Sequence, residues 1–130
     1  MTFSGEKYQW KNKIILIVED EDINYFIIEK LLSSSNVKIL WAKNGQKAVD
    51  LCLSDEKIDL VLMDLQLPVM NGFDAMKKIK EHKKELPIIV QTAYAMKSHK
   101  ERGFEAGADE YLTKPYSEET LLKAIDKHMK

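Results

Sequence analysis

Apolar residues gather in five short runs of strand length, and the stretches between them carry apolar positions at helical spacing. The runs are Lys13–Val18, Val37–Ala42, Ile58–Met63, Ile88–Gln91 and Glu110–Thr113. The third has almost no polar interruption, which predicts a central strand covered on both faces. A helix starting near Asp22 places Ile23, Phe26, Ile27 and Leu31 on one face and ends at Ser33-Ser34-Ser35-Asn36. Asn44-Gly45 turns into a helix carrying Ala48, Val49 and Cys52, and Gly72 to Lys80 carries Phe73, Met76 and Ile79. A mostly polar helix from about Lys97 to Ala106 has little to bury beyond Phe104, with Gly107 as its stop. Ser117 is placed to cap the last helix, whose apolar face is Leu121, Leu122 and Ile125. Strands alternating with helices predict an α/β fold, a doubly wound five-stranded parallel sheet with helices on both faces.

Length and composition narrow this picture. At 130 residues, with 45% hydrophobic and 32% charged, the chain fits one globular domain. Residues 13–130 form that domain, and 1–12 read as an N-terminal extension or linker in which Phe3, Tyr8 and Trp10 pack on the first strand's edge or stay outside. With 20 basic and 21 acidic residues, no global field points to nucleic acid or a membrane. The basic cluster Lys77, Lys78, Lys80, Lys83 and Lys84 reads as a solvated helix face. The single Cys52 excludes an internal disulfide and fits a reducing compartment. No apolar run approaches the ~20 residues that span a bilayer, and Met1 to Lys13 does not read as a signal peptide, so a cytoplasmic location is expected.

Candidate chemistry sits where the strands end. Glu19 and Asp20 follow the first strand, Asp64 ends the third, Thr92 the fourth, and Lys114 follows the fifth. In a parallel sheet these positions share one rim, the rim on which such sheets bind ligands. Three carboxylates held together repel one another and call for a cation. Acid pair, single acid, hydroxyl and ammonium form a set suited to phosphoryl transfer with a hard divalent ion such as Mg²⁺. His82, His99 and His128 show no metal-ligand spacing and read as surface residues. Neither GxxxxGK[ST] nor GxGxxG occurs, so nucleotide binding has no support.

The motifs ILIVEDED, LVLMDLQLPVMNG, PIIVQTAYA and GADEYLTKP, in this order, resemble the receiver domains of two-component response regulators. The text from VLMD to TAYAM is most similar to receivers of hybrid histidine kinases and of short stand-alone regulators. The resemblance spans about Lys13 to Met129 and implies a flavodoxin-like sheet of strand order 2-1-3-4-5. It also implies a role for each position. Asp64 matches the phosphoacceptor, Asp20 the direct metal ligand, and Glu19 the second acid, acting through bound water. The Gln66 backbone carbonyl matches a further ligand for Mg²⁺, for which Mn²⁺ or Ca²⁺ can substitute. Thr92, with Ala93 beside it, resembles the phosphoryl-binding switch, Lys114 its ammonium partner and Tyr111 the aromatic switch. The Lys114-Pro115 bond is expected to be cis. Two departures are small: the acid pair is Glu-Asp, and Leu67 stands where methionine often precedes the proline.

The implied function is a phosphoacceptor that takes a phosphoryl group from a phosphohistidine and switches its output surface. It would not be an enzyme acting on free substrates. The phosphodonor would be a histidine kinase or a histidine phosphotransfer domain, and homodimers would form through the last two helices and the fifth strand. A place within a hybrid kinase would put the chain on the cytoplasmic side of the membrane. The rival is a small Mg²⁺-dependent aspartyl-phosphate phosphatase or phosphotransferase. Such enzymes typically carry a second acid two residues after the nucleophile, where this chain has Gln66, and a cap domain for which no insertion is long enough.

Overall fold

The computed structural model describes residues 8–93 and 97–129, without the side chains of Ser98 and His99. Phe3, the Tyr94-Ala95 part of the third motif and the His99 side chain therefore lie outside the described residues.

Five strands, β1 (Ile14–Val18), β2 (Lys38–Ala42), β3 (Leu60–Asp64), β4 (Ile88–Thr92) and β5 (Glu110–Thr113), form one sheet of order β2-β1-β3-β4-β5. Every neighbouring pair is parallel. The helices are α1 (Asp22–Leu32, extended by a 3-10 turn at Ser33–Ser35), α2 (Gly45–Cys52), α3 (Gly72–His82), α4 (Lys97–Ala106) and α5 (Glu118–His128). The strands β3 and β4 are buried along their whole length, including the polar Asp64, Gln91 and Thr92 at their ends.

Strand alternation divides the core into two layers. Leu16, Val18, Val61, Met63, Ile88 and Val90 face α2, α3 and α4. Ile15, Ile17, Leu60, Leu62, Ile89 and Leu112 face α1 and α5. Side chains close the chain where backbone pairing stops. Asp59 Oδ2 accepts from the Ile14 N–H at 2.8 Å, and Asp109 Oδ2 from the Ile88 N–H at 2.9 Å. Asn44, Asn71 and Ser117 accept from the N–H three residues on, capping α2, α3 and α5. Each such cap contributes about 1 kcal/mol.

The structure rotates α1 away from the face its apolar spacing suggests. Tyr25, Ile28 and Leu32 are buried, whereas Ile23 is 73% exposed and Phe26 and Ile27 are each 55% exposed. The cause is an aromatic contact remote in sequence. Tyr25 stacks on Trp41 of β2 with ring centroids 3.8 Å apart and planes 3° apart, and its hydroxyl donates to Glu29. A tyrosine that buries its ring and keeps its hydroxyl bonded takes the inward position, leaving the aliphatic stripe to solvent.

Three smaller expectations also change. Phe104 is half exposed, and among the described side chains of α4 only Gly103 and Ala106 are buried. Lys80 does not join a solvated face, because its ammonium pairs with Asp109 at 2.9 Å. His128 is half-buried against Glu110 at 2.9 Å. Trp10 is buried in the α1/α5 layer, with Tyr8 stacked on it.

Candidate functional site

The rim positions meet in one open cleft of about 460 Å³, lined by Asp20, Asp64, Gln66, Thr92, Ala93 and Lys114 among others. Glu19 lies beneath, fully buried, while Asp20 is exposed and Asp64 almost wholly buried. Carboxylate oxygens of Glu19, Asp20 and Asp64 all lie within 4.8 Å of one another. By strand alternation Glu19, Asp64, Gln91 and Lys114 fall on the α1/α5 face, and Thr92 and Tyr111 on the other.

The two buried acids, Glu19 and Asp64, are each held by several partners. The Glu19 N–H donates to the Ala42 carbonyl, and its own carbonyl accepts from the Trp41 indole N–H at 2.8 Å. Glu19 Oε2 accepts from the Glu21 N–H at 3.2 Å, and Oε1 from the Lys114 ammonium at 2.9 Å. Asp64 Oδ1 accepts from the Gln66 N–H at 3.0 Å, and Oδ2 from Lys114 at 3.3 Å. Gly72 opens α3 directly against this loop: a Cβ there would sit 2.5 Å from the Asp64 carbonyl oxygen. The loop also carries Val69 with φ of 68°, a left-handed conformation that costs a β-branched residue energy.

Lys114 bridges two carboxylates. Burial alone pushes its ammonium down, but the hydrogen bond it donates to Glu19 and the charges of Asp64 and Glu19 outweigh it and raise it above the ordinary value. The ammonium therefore stays charged and offsets part of the repulsion among the acids. Its backbone N–H donates to the Thr92 carbonyl at 2.7 Å, and its peptide bond to Pro115 is cis.

Tyr111 stands outside the cleft. It is half-buried on β5, its ring against Gly103 and 6.3 Å from the Phe104 ring, and burial raises its phenol above the ordinary value. It shares a sheet face with Thr92, which is almost fully buried.

Two residues with no role in the sequence reading belong to the site's surroundings. Gln91 is completely buried on β4, directly beside Asp64 in the strand register. Its Oε1 accepts from the Tyr116 hydroxyl at 2.6 Å, while its Nε2 has no partner among the described residues. A buried donor left unpaired costs about 1–3 kcal/mol. The one sequence signal was that Gln91 interrupts an otherwise apolar run. Burial and then the charges of Glu19 and Asp64 push the Tyr116 phenol well up.

The receiver-domain family model of response regulators matches residues 15–126, so the chain belongs to that family, the phosphorylation-controlled receivers of two-component signalling. It is 33% identical to the polar-differentiation response regulator DivK of Brucella anthropi over 90% of this chain and 96% of DivK. It is 36% identical to the sensor histidine kinase GacS of Pseudomonas protegens and 40% to the transcriptional regulatory protein SrrA of Staphylococcus aureus. Each match covers 85% of this chain, but the chain spans only 12% of GacS and 45% of SrrA. Among solved structures, a Pseudomonas aeruginosa sensor kinase receiver with magnesium coordinated in its active-site cleft superposes with a TM-score of 0.83. It shares 31% identity, covering 90% of this chain and 97% of that one.

Proposed function

We propose that Asp64 accepts a phosphoryl group from a phosphohistidine on a partner protein, and that this switches the face built from α4, β5 and α5. The observation that carries the reading is the bridge of Lys114 to Glu19 and Asp64 at the centre of a three-carboxylate cluster. An Asp64 oxygen attacks phosphorus as the bond from phosphorus to the donor nitrogen breaks, leaving an acyl phosphate and an imidazole. Position and charge neutralisation are most of what such a transfer needs.

The acid cluster fits Mg²⁺, with Mn²⁺ or Ca²⁺ as substitutes, because all are hard ions that take oxygen ligands. Asp20, Asp64 and the Gln66 carbonyl would hold the ion, with Glu19 acting through water. When bound, it would neutralise charge on the transferring group. Lys114 supplies the second cation and turns from carboxylate to phosphoryl oxygen as charge accumulates there. Thr92, whose hydroxyl can donate, and Ala93 complete the phosphoryl-binding side. Tyr111, on the same sheet face as Thr92, then follows it and transmits the change to α4.

A histidine kinase or histidine phosphotransfer domain is the donor this reading requires. The exposed stripe of Ile23, Phe26 and Ile27 gives such a protein an apolar face to bury near Asp20. Residues 13–130 act as the receiver and 1–12 as its extension, of which Trp10 is buried in the α1/α5 layer. The chain works in the cytoplasm, free or on the cytoplasmic side of a membrane as part of a hybrid kinase. It forms homodimers, where it forms any, through α4, β5 and α5, and its chemistry is confined to gaining and losing its own phosphoryl group. No helix among the described residues is long and apolar enough to cross a membrane.

Incubation with acetyl phosphate and Mg²⁺, followed by intact mass, tests the assignment. The protein should gain one phosphoryl group, and Asp64→Asn should gain none. Full labelling of Asp64→Asn would sink the reading. Lys114→Ala should stay folded and lose the conformational response to phosphorylation.

A further inference from the structure

Two adjacent residues of β4 hold the loop that carries Lys114, one on each side of it. On the near side, the Lys114 N–H donates to the Thr92 carbonyl at 2.7 Å. On the far side, the Tyr116 hydroxyl donates to Gln91 Oε1 at 2.6 Å. We propose that Gln91 and Tyr116 are positioning residues for phosphoryl transfer, their hydrogen bond fixing the loop so that the Lys114 ammonium spans Glu19 and Asp64. The inference rests on the reading of Asp64 as phosphoacceptor.

Three observations support the pair. Gln91 lies in register with Asp64 on one side and with Leu112 on the other, so it stands between the nucleophile and the strand that leads to Lys114. The loop is also only partly packed toward α1. Tyr116 packs against the α1/α5 core layer, but a cavity of about 190 Å³ opens between Ile27, Ile28 and Leu31 on one wall and Lys114, Pro115 and Tyr116 on the other. The hydrogen bond to the sheet adds a directional restraint to that partial packing.

The third observation is the orphaned amide. As the amide is oriented, with Oε1 toward Tyr116, the buried Nε2 has no partner among the described residues. A leucine would fill this space without that penalty, and the bond to Tyr116 is what the glutamine adds. Tyr116 is a dependable donor, since burial and the nearby charges of Glu19 and Asp64 keep its phenol protonated.

The test uses Tyr116→Phe, which keeps the ring and removes only the hydroxyl, and Gln91→Leu, which keeps the bulk and removes the amide. Labelling by acetyl phosphate at saturating Mg²⁺ is followed by intact mass, with thermal unfolding measured on the same samples. Each single variant should lower the maximal labelling rate about three- to tenfold, the factor that one hydrogen bond carries. The acetyl phosphate concentration giving half the maximal rate should not change. The double variant should be no slower than the slower single, because both substitutions delete the same bond. Gln91→Leu should melt no lower than the parent. Tyr116→Phe labelling at the parent rate, losses that multiply in the double, or rates that fall only in step with melting temperature would each overturn the proposal. An unlabelled parent would instead fail the phosphoacceptor reading beneath it, and a labelled parent with unaffected variants would fail this inference alone.

Discussion

Glu19 directly follows β1 and Asp64 ends β3, strands that are almost wholly buried, whereas Tyr111 stands on β5, an edge strand of four residues with one buried position. The acid side is tied down by Ala42, Trp41, Gln66 and Lys114. The Tyr111 side is covered by α4, whose buried described residues are only Gly103 and Ala106, small residues that add little apolar contact. Loose packing of this kind marks the part of a protein that opens or shifts at low cost. The comparison teaches that the two sides are packed differently, with carboxylates fixed by several partners on one and a weakly anchored helix on the other, as the proposed switch requires.

Truncations on the two sides should differ most. Leu62→Ala, at a fully buried position of β3, should cost about 2–5 kcal/mol in urea unfolding. Phe104→Ala, half exposed on α4, should cost about 0.5 kcal/mol. Equal losses would erase the contrast.

An alkaline titration sharpens it. Burial pushes the Cys52 thiol from 9.0 up to about 12, against a smaller opposing effect of Lys83. Burial, then the hydrogen bond and charge of Glu29, push Tyr25 from 10.0 up to about 12. Both values are raised on folding, so the stability these groups contribute is complete below their unfolded values and is lost as pH climbs through the folded ones. Stability should hold steady up to about pH 9 and fall between there and about 12. Because Tyr25 and Cys52 are buried in the two core layers, the loss should appear as global unfolding by circular dichroism. Loosening confined to α4 would contradict this.

Gly103→Ala probes the weak side with a smaller change. A Cβ there would lie 3.3 Å from Tyr111 Cε2, while the helix itself should gain about 0.5–1 kcal/mol. Amide exchange in α4 should slow and the Tyr111 resonances should move. An unchanged Tyr111 would show that Gly103 does not set its ring position.

Much of this design could be read along the chain, for a physical reason. The strands β1, β3 and β4 are apolar runs that need no partner to be recognised, and the positions after them fall on the rim by topology alone. The acid pair, Asp64, Thr92 and Lys114 were therefore placed together from sequence. What stayed hidden depends on partners distant in the chain. The Tyr25–Trp41 stack turned α1, Asp109 took Lys80 out of the solvated face, and Gln91 found Tyr116 in the loop after the neighbouring strand. Nor does spacing reveal that Lys114 lies nearer to Glu19 than to Asp64.

The central claim is that charge arriving at the firm acid cleft is felt at the weakly packed α4 through Thr92 and Tyr111. Amide chemical-shift mapping with Mg²⁺, before and after adding beryllofluoride as a mimic of the phosphoryl group, tests it most directly. The account predicts large changes at Asp64, Thr92, Tyr111 and along Lys97–Ala106, with α2 unmoved. Changes confined to Glu19, Asp20 and Asp64, with Tyr111 and α4 unaltered, would contradict it.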